Sequence, residues 1–381
     1  MRYCTLIILL FLYGCQTAIQ LPPVNNETNE TPIIIIEVNE THDFPLNETF
    51  VINESVNNSI NIFVNESQNV SELTNGSCLG ICPPNAPTSG SGSFVYSHNV
   101  SISTYGEDIA RFWIYEPDSP KPSEAPVIYY FHGWGTFDPN SYNDFLTHLA
   151  RKGYIVVFIN YGSLYNVSYF EQISKEAIEK ANLELQNSNH VKPNGKYGFV
   201  GHSLGSILLT RLAATNSKPD VMILHDPAGE SFVQSQFIYW DLSKEVYSKI
   251  DPNTKLLIIT AEAALFNGSI FSQYLINNTP ITQKNLLMIP HDSHGTPSLY
   301  SDHSGVQAYI PELIPLDAID WWGYWRPTEK ALDEALKGEQ GNYSAFCNKA
   351  GKECDGVRFM GTWSDGKPVN KIKNSADLGI N

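Results

Sequence analysis

Residues 197–214 read YGFVGHSLGSILLTRLAA, and the reading of this stretch decides the fold. Tyr197–Val200 has the short apolar character of a buried strand, and Leu204–Ala214 is an apolar run of helical length. Between them Gly201-His202-Ser203-Leu204-Gly205 fits G-x-S-x-G, so a strand passes into a helix through one tight turn. Such a turn strains the serine backbone and brings its neighbours close, which the flanking glycines permit. The alternative is a tight turn with a capping serine, which the strand–turn–helix context disfavours. Ser203 is therefore the candidate nucleophile.

Working outward, Val127–Phe131, Ile155–Asn160, Gly198–Gly201, Val221–Leu224, Leu256–Thr260 and Leu286–Ile289 are apolar runs of the kind buried on both faces of a parallel sheet. Asn143–Arg151 and Tyr169–Gln186 have helical spacing, whereas Phe94–Ser101 and Ile109–Tyr115 alternate like half-buried strands. The alternation predicts an α/β fold, a mostly parallel central sheet with helices on both faces. Reactive groups then belong in loops at the carboxyl ends of the strands.

Those loops hold the remaining candidates. Val127–Phe131 runs into His132-Gly133-Trp134-Gly135. Asp226 follows the strand Val221–Leu224 in Leu224-His225-Asp226-Pro227, and Glu262 follows the next strand. Beyond the last strand stand His291, His294 and His303. An activated serine needs a base, an orienting acid and donors for the oxyanion.

From Phe94 to Gly338 these motifs resemble the α/β-hydrolase superfamily, in particular the branch containing platelet-activating-factor acetylhydrolase and chlorophyllase. The resemblance implies the chain order serine, acid, histidine. It implies an oxyanion hole from the N–H groups of Trp134 and Leu204. The acid in that branch follows the strand after the nucleophile's helix, which favours Asp226 over Glu262. The base sits in the loop past the final strand, where the His294-Gly295 context matches best; His303 competes with it. The tail, with Trp321-Trp322-Gly323-Tyr324-Trp325, looks like the C-terminal part of secreted α/β-hydrolases, and its tryptophans read as core.

The ends set the context. The chain has 381 residues with 24 Lys+Arg against 40 Asp+Glu, a formal charge of −16, which leaves no basic face for nucleic acid. No Lys or Arg occurs between Arg2 and Arg111. Residues 1–15 read as a signal peptide with a lipobox-like end at Cys15, the alternative being cleavage near Ala18. Residues 16–92 read as a disordered stalk carrying the sequons Asn26, Asn29, Asn39, Asn47, Asn53, Asn57, Asn65, Asn69 and Asn75. The catalytic domain spans 93–338, and 339–381 is a disulfide-braced extension. Local disulfides Cys78–Cys82 and Cys347–Cys354 are the simplest pairing in an exported chain, with a crossed pairing as the alternative. No cofactor or metal is called for.

The expected function is an exported serine hydrolase acting on small-molecule, lipid or polymer esters, extracellular and membrane-attached through lipidated Cys15. The alternatives are a non-catalytic cell-surface binding module with an esterase-like shell, or a peptidase or thioesterase on the same fold.

Overall fold

A computed structural model describes residues 78, 80–107, 109, 111–162, 167–215, 217–236, 238, 240–265, 268–307 and 316–380. The signal, Cys15 and the sequon tract lie outside the described residues. Eight strands form one sheet: β1 Asn99–Tyr105, β2 Phe112–Asp118, β3 Glu124–Phe131, β4 Ile155–Ile159, β5 Lys192–His202, β6 Val221–His225, β7 Lys255–Ala261 and β8 Lys284–Ile289. Their order is β1-β2-β4-β3-β5-β6-β7-β8, and every pairing from β4 to β8 is parallel. β2 runs antiparallel to both of its neighbours. Five of the six apolar runs fall within strands, and the sixth, Ile155–Asn160, overruns β4 by Asn160. The two alternating segments are displaced, because pairing of β1 with β2 begins at Asn99 and Phe112.

Helices cover both faces. α1 (Asn143–Arg151) turns Phe145, Leu146, Leu149 and Ala150 inward, with Asp144 in its first turn and Arg151 in its last, as the helix dipole favours. α2 (Phe170–Glu184) buries a stripe at Phe170, Ile173, Ala177 and Ala181. α3 (Leu204–Thr215) is buried along nearly its whole length. Two distinct cores result: one holds residues of α2 and α3, the other residues of α1 and of the C-terminal helical segment. That segment is α4 (Arg326–Leu332), flanked by wide π-helical turns at Ile319–Trp325 and Asp333–Lys337.

The extension is part of this second core. Met360, Trp363 and Ile372 are buried in it, and Lys373 exchanges two backbone hydrogen bonds with Met288 on the outer edge of β8. Covering an edge strand in this way removes a template for unwanted pairing. The described cysteines pair locally, Cys78 with Cys82 and Cys347 with Cys354.

The front segment departs from expectation. Residues 80–92, read as the end of a disordered stalk, lie against the body. Ile81 and Ala86 pack on the second core. Cys82 N–H donates to Ser364 Oγ at 2.9 Å, Ser364 N–H returns a bond to the Cys82 carbonyl at 3.0 Å, and the Trp322 indole donates to the Asn85 carbonyl. Gly92 N–H donates to the buried Glu329 carboxylate. Proline, glycine and serine content signals a lack of regular structure, not a lack of partners. A chain beginning at Ser77 keeps every one of these contacts. One beginning at Ser91 is expected to lose on the order of 2 kcal/mol or more from the uncovered apolar surface, read as a lower denaturant midpoint.

Candidate active site

The crossovers from β3 and β5 leave in opposite directions, β3 feeding β4 and β5 feeding β6. These two strands are neighbours, with Phe131 opposite Gly201. A crevice at the carboxyl ends of an open sheet opens at such a reversal. The loop His132–Gly135 and the turn His202–Gly205 face each other there. Gly205 lies so close to the carbonyls of Phe131 and His132 that any Cβ would overlap them. The first turn of α3 is thereby held against the loop that follows β3. Leu204 opens the helix, so its N–H has no carbonyl partner within it.

Three non-glycine residues among those described have left-handed backbone, and two are Ser203 (φ 54°) and Asp226 (φ 40°), at the ends of adjacent strands. Their strained conformations are held by the chains beside them. Ser203 N–H donates to the His225 carbonyl at 2.9 Å, Ala228 N–H donates to the Ser203 carbonyl, and Asp226 N–H donates to the Ile259 carbonyl at 2.8 Å.

The histidine at the serine is His303. Its Nε2 lies 2.9 Å from Ser203 Oγ, and both side chains are buried. Burial pushes the His303 pKa down to about 4, so the ring is a neutral base at pH 7. His294, the base expected from the sequence, stands elsewhere: its Nε2 is 2.7 Å from Asp365 Oδ2, and Lys367 Nζ donates to its Nδ1. His291 stacks on Tyr300 and accepts a hydrogen bond from Ser301 N–H. The reason is the path of the loop. After β8 the chain makes an excursion that Asp292 and Leu299 close with two backbone bonds, and Ala263 N–H then captures the Ser301 carbonyl beyond β7. His294 rides on the excursion and His303 follows its return. Asp302 Oδ1 accepts from Ser304 N–H and fixes that final turn.

Of the two acids, Glu262 is exposed and accepts from His291 N–H at 2.7 Å. Asp226 is fully buried, with Oδ1 accepting from Ala261 N–H at 2.6 Å and Oδ2 from the Tyr324 hydroxyl. Burial raises its pKa to about 7 against the lowering effect of those two donors, and the field of Asp302 adds to the rise. Trp134 is half-buried, its ring against Phe170 and Phe232. Sequence reasoning missed Tyr142, His202, Asp302 and Tyr324. His202 stood inside the G-x-S-x-G motif without a role, and Tyr324 inside an aromatic segment that also reads as core.

Compared with known proteins, the chain matches no family model and no curated sequence.

Gly205→Ala is expected to destabilise the protein by about 3 kcal/mol or more, because backbone atoms on both sides would have to part. Chemical denaturation measures it; a loss under about 1 kcal/mol would mean that the helix and loop separate easily.

Proposed function

We propose that the chain is an exported serine hydrolase that cleaves carboxylic esters, on an α/β-hydrolase fold of the platelet-activating-factor acetylhydrolase and chlorophyllase-like branch. The observation that carries this reading is Ser203 Oγ 2.9 Å from His303 Nε2, on a left-handed turn between a strand and a helix. An eight-stranded, mostly parallel sheet with the serine after its fifth strand is compatible with that fold. The two disulfides and the signal-like N-terminus fit an oxidising compartment outside the cell, with Cys15 as the membrane anchor.

In this mechanism Ser203 Oγ attacks the ester carbonyl while His303 Nε2 takes its proton. The oxyanion faces the N–H groups of Trp134 and Leu204. His303 then protonates the leaving alcohol, and water activated by the same ring releases the acid from Ser203. Asp226 is the buried carboxylate that stabilises the imidazolium as it forms.

A fluorophosphonate is expected to label Ser203, and Ser203→Ala or His303→Ala to lower kcat by about 10⁴-fold or more, since such groups act as a unit. His294→Ala is expected to leave kcat near that of the native protein, and Asp226→Asn to cost far more than Glu262→Gln. Chromogenic short-chain esters give the readout, and a crippling effect at His294 would refute the assignment of His303.

The pH profile should rise in two steps. Below about pH 4 the His303 ring is protonated and cannot take the serine proton. Between about 4 and 7 the ring is free but Asp226 is still neutral, so full kcat/KM requires pH above about 7. Tyr324→Phe removes a donor that favours the Asp226 carboxylate, so the upper step should move to higher pH. An upper step that stays in place would separate Asp226 from the rate.

A further inference from the structure

His202, the residue before the nucleophile, has no part in the mechanism above, yet its ring lies between the two loops that mechanism uses. One nitrogen, Nε2, is 2.9 Å from the backbone carbonyl of His303. The other, Nδ1, is 2.8 Å from the Tyr142 hydroxyl, whose oxygen accepts from Gly133 N–H at 3.0 Å. We propose that His202 is a positioning residue that ties the loop carrying the base to the loop carrying the oxyanion donor. The inference rests on the ester-hydrolase reading and assigns the site a further working part.

The direction of every bond is fixed. A carbonyl oxygen can only accept, so His202 Nε2 carries the proton and donates to His303. In a neutral ring Nδ1 is then the acceptor, and the Tyr142 hydroxyl donates to it. The phenol oxygen retains lone pairs for Gly133 N–H. The chain Gly133 N–H to Tyr142 O–H to His202, and His202 N–H to the His303 carbonyl, therefore uses each hydrogen once. His202, Tyr142 and His303 are all buried, so the chain is shielded from competing water. Burial also drives the His202 pKa well below the ordinary histidine value, which keeps the ring neutral, with one donor and one acceptor.

Packing enforces the same connection. A Cβ on Gly133 would come within 2.9 Å of His202 Nδ1 and 3.2 Å of the Tyr142 oxygen, so the His-Gly loop can approach the ring only because residue 133 is glycine. The His202 and His303 rings are 4.9 Å apart, tilted by 43°. A histidine that merely filled space would not need both ring nitrogens engaged, one toward each of two loops 170 residues apart in sequence. The His303 ring inherits its aim from its own main chain, and a displacement of about 1 Å is enough to lower a rate about 100-fold.

The test uses His202→Leu, His202→Gln and Tyr142→Phe in the full-length protein, assayed on a chromogenic acetate ester with Ser203 labelling and thermal melts alongside. His202→Leu is expected to lower kcat by about 100-fold with KM little changed, because substrate binding does not use the ring. His202→Gln keeps an N–H donor for the His303 carbonyl and an acceptor for Tyr142, and should recover most of the loss. Tyr142→Phe should slow both turnover and labelling while the protein remains folded. The proposal is overturned if His202→Leu turns over at the native rate, or if Gln is as impaired as Leu. Should His202→Leu not fold, an unchanged kcat in Tyr142→Phe overturns it and a lowered one with unchanged KM supports it. A native protein that neither hydrolyses the ester nor labels at Ser203 defeats the hydrolase reading itself, a distinct result.

Discussion

The contact between Gly205 and the carbonyls of Phe131 and His132 is the constraint on which the site depends. It presses the first turn of one helix against the end of a neighbouring strand with no side chain between them. Ser203 can then leave β5 in a left-handed conformation and still present its hydroxyl at the crevice. The hydrogen bonds from Ser203 N–H to His225 and from Ala228 N–H to Ser203 hold that conformation from the β6 side. Loosening the contact would release the strain and part the two loops together.

The protein buries much of its titratable chemistry. His132, His148, His202, His225 and His303 are all buried with lowered pKa values, burial being the leading cause. A neutral imidazole offers one donor and one acceptor, so it can bridge buried groups without bringing a charge into a dry interior. Asp226 shows the converse, a carboxyl raised to about 7 by the same burial while Tyr324 and Ala261 pull it back. Neutral base and reluctant acid thus come from one cause, exclusion of water, and the donors nearby set how far each departs from its ordinary value.

Much of the architecture was legible because buried parallel strands have to be apolar on both faces. The six runs from Val127 to Ile289 therefore marked β3 to β8 without ambiguity. β1 and β2 were harder to bound, since alternation continues past the ends of their pairing and the true limits come from the ladder between them. The segment 80–92 departs from a stalk for a different reason. It forms no regular element, and only its partners on the distant tail, Ser364 and Trp322, show that it is held.

The sequence by itself determined the candidate nucleophile. A strand, G-x-S-x-G and a helix are contiguous, so Ser203 and the glycine at 205 are specified by local geometry alone. It also determined which acids and histidines could compete, because strand ends bound the loops in which they stand. Only the tertiary structure decided among them. His294 is nine residues nearer to β8 than His303, but the Asp292–Leu299 closure carries it out to Asp365 while the chain returns to Ala263 and sets His303 on the serine. Asp226 and Glu262 follow adjacent strands, and burial beneath Tyr324 distinguishes one from the other. These outcomes depend on hydrogen bonds between segments far apart in the chain, and no local pattern of residue types records where such segments meet.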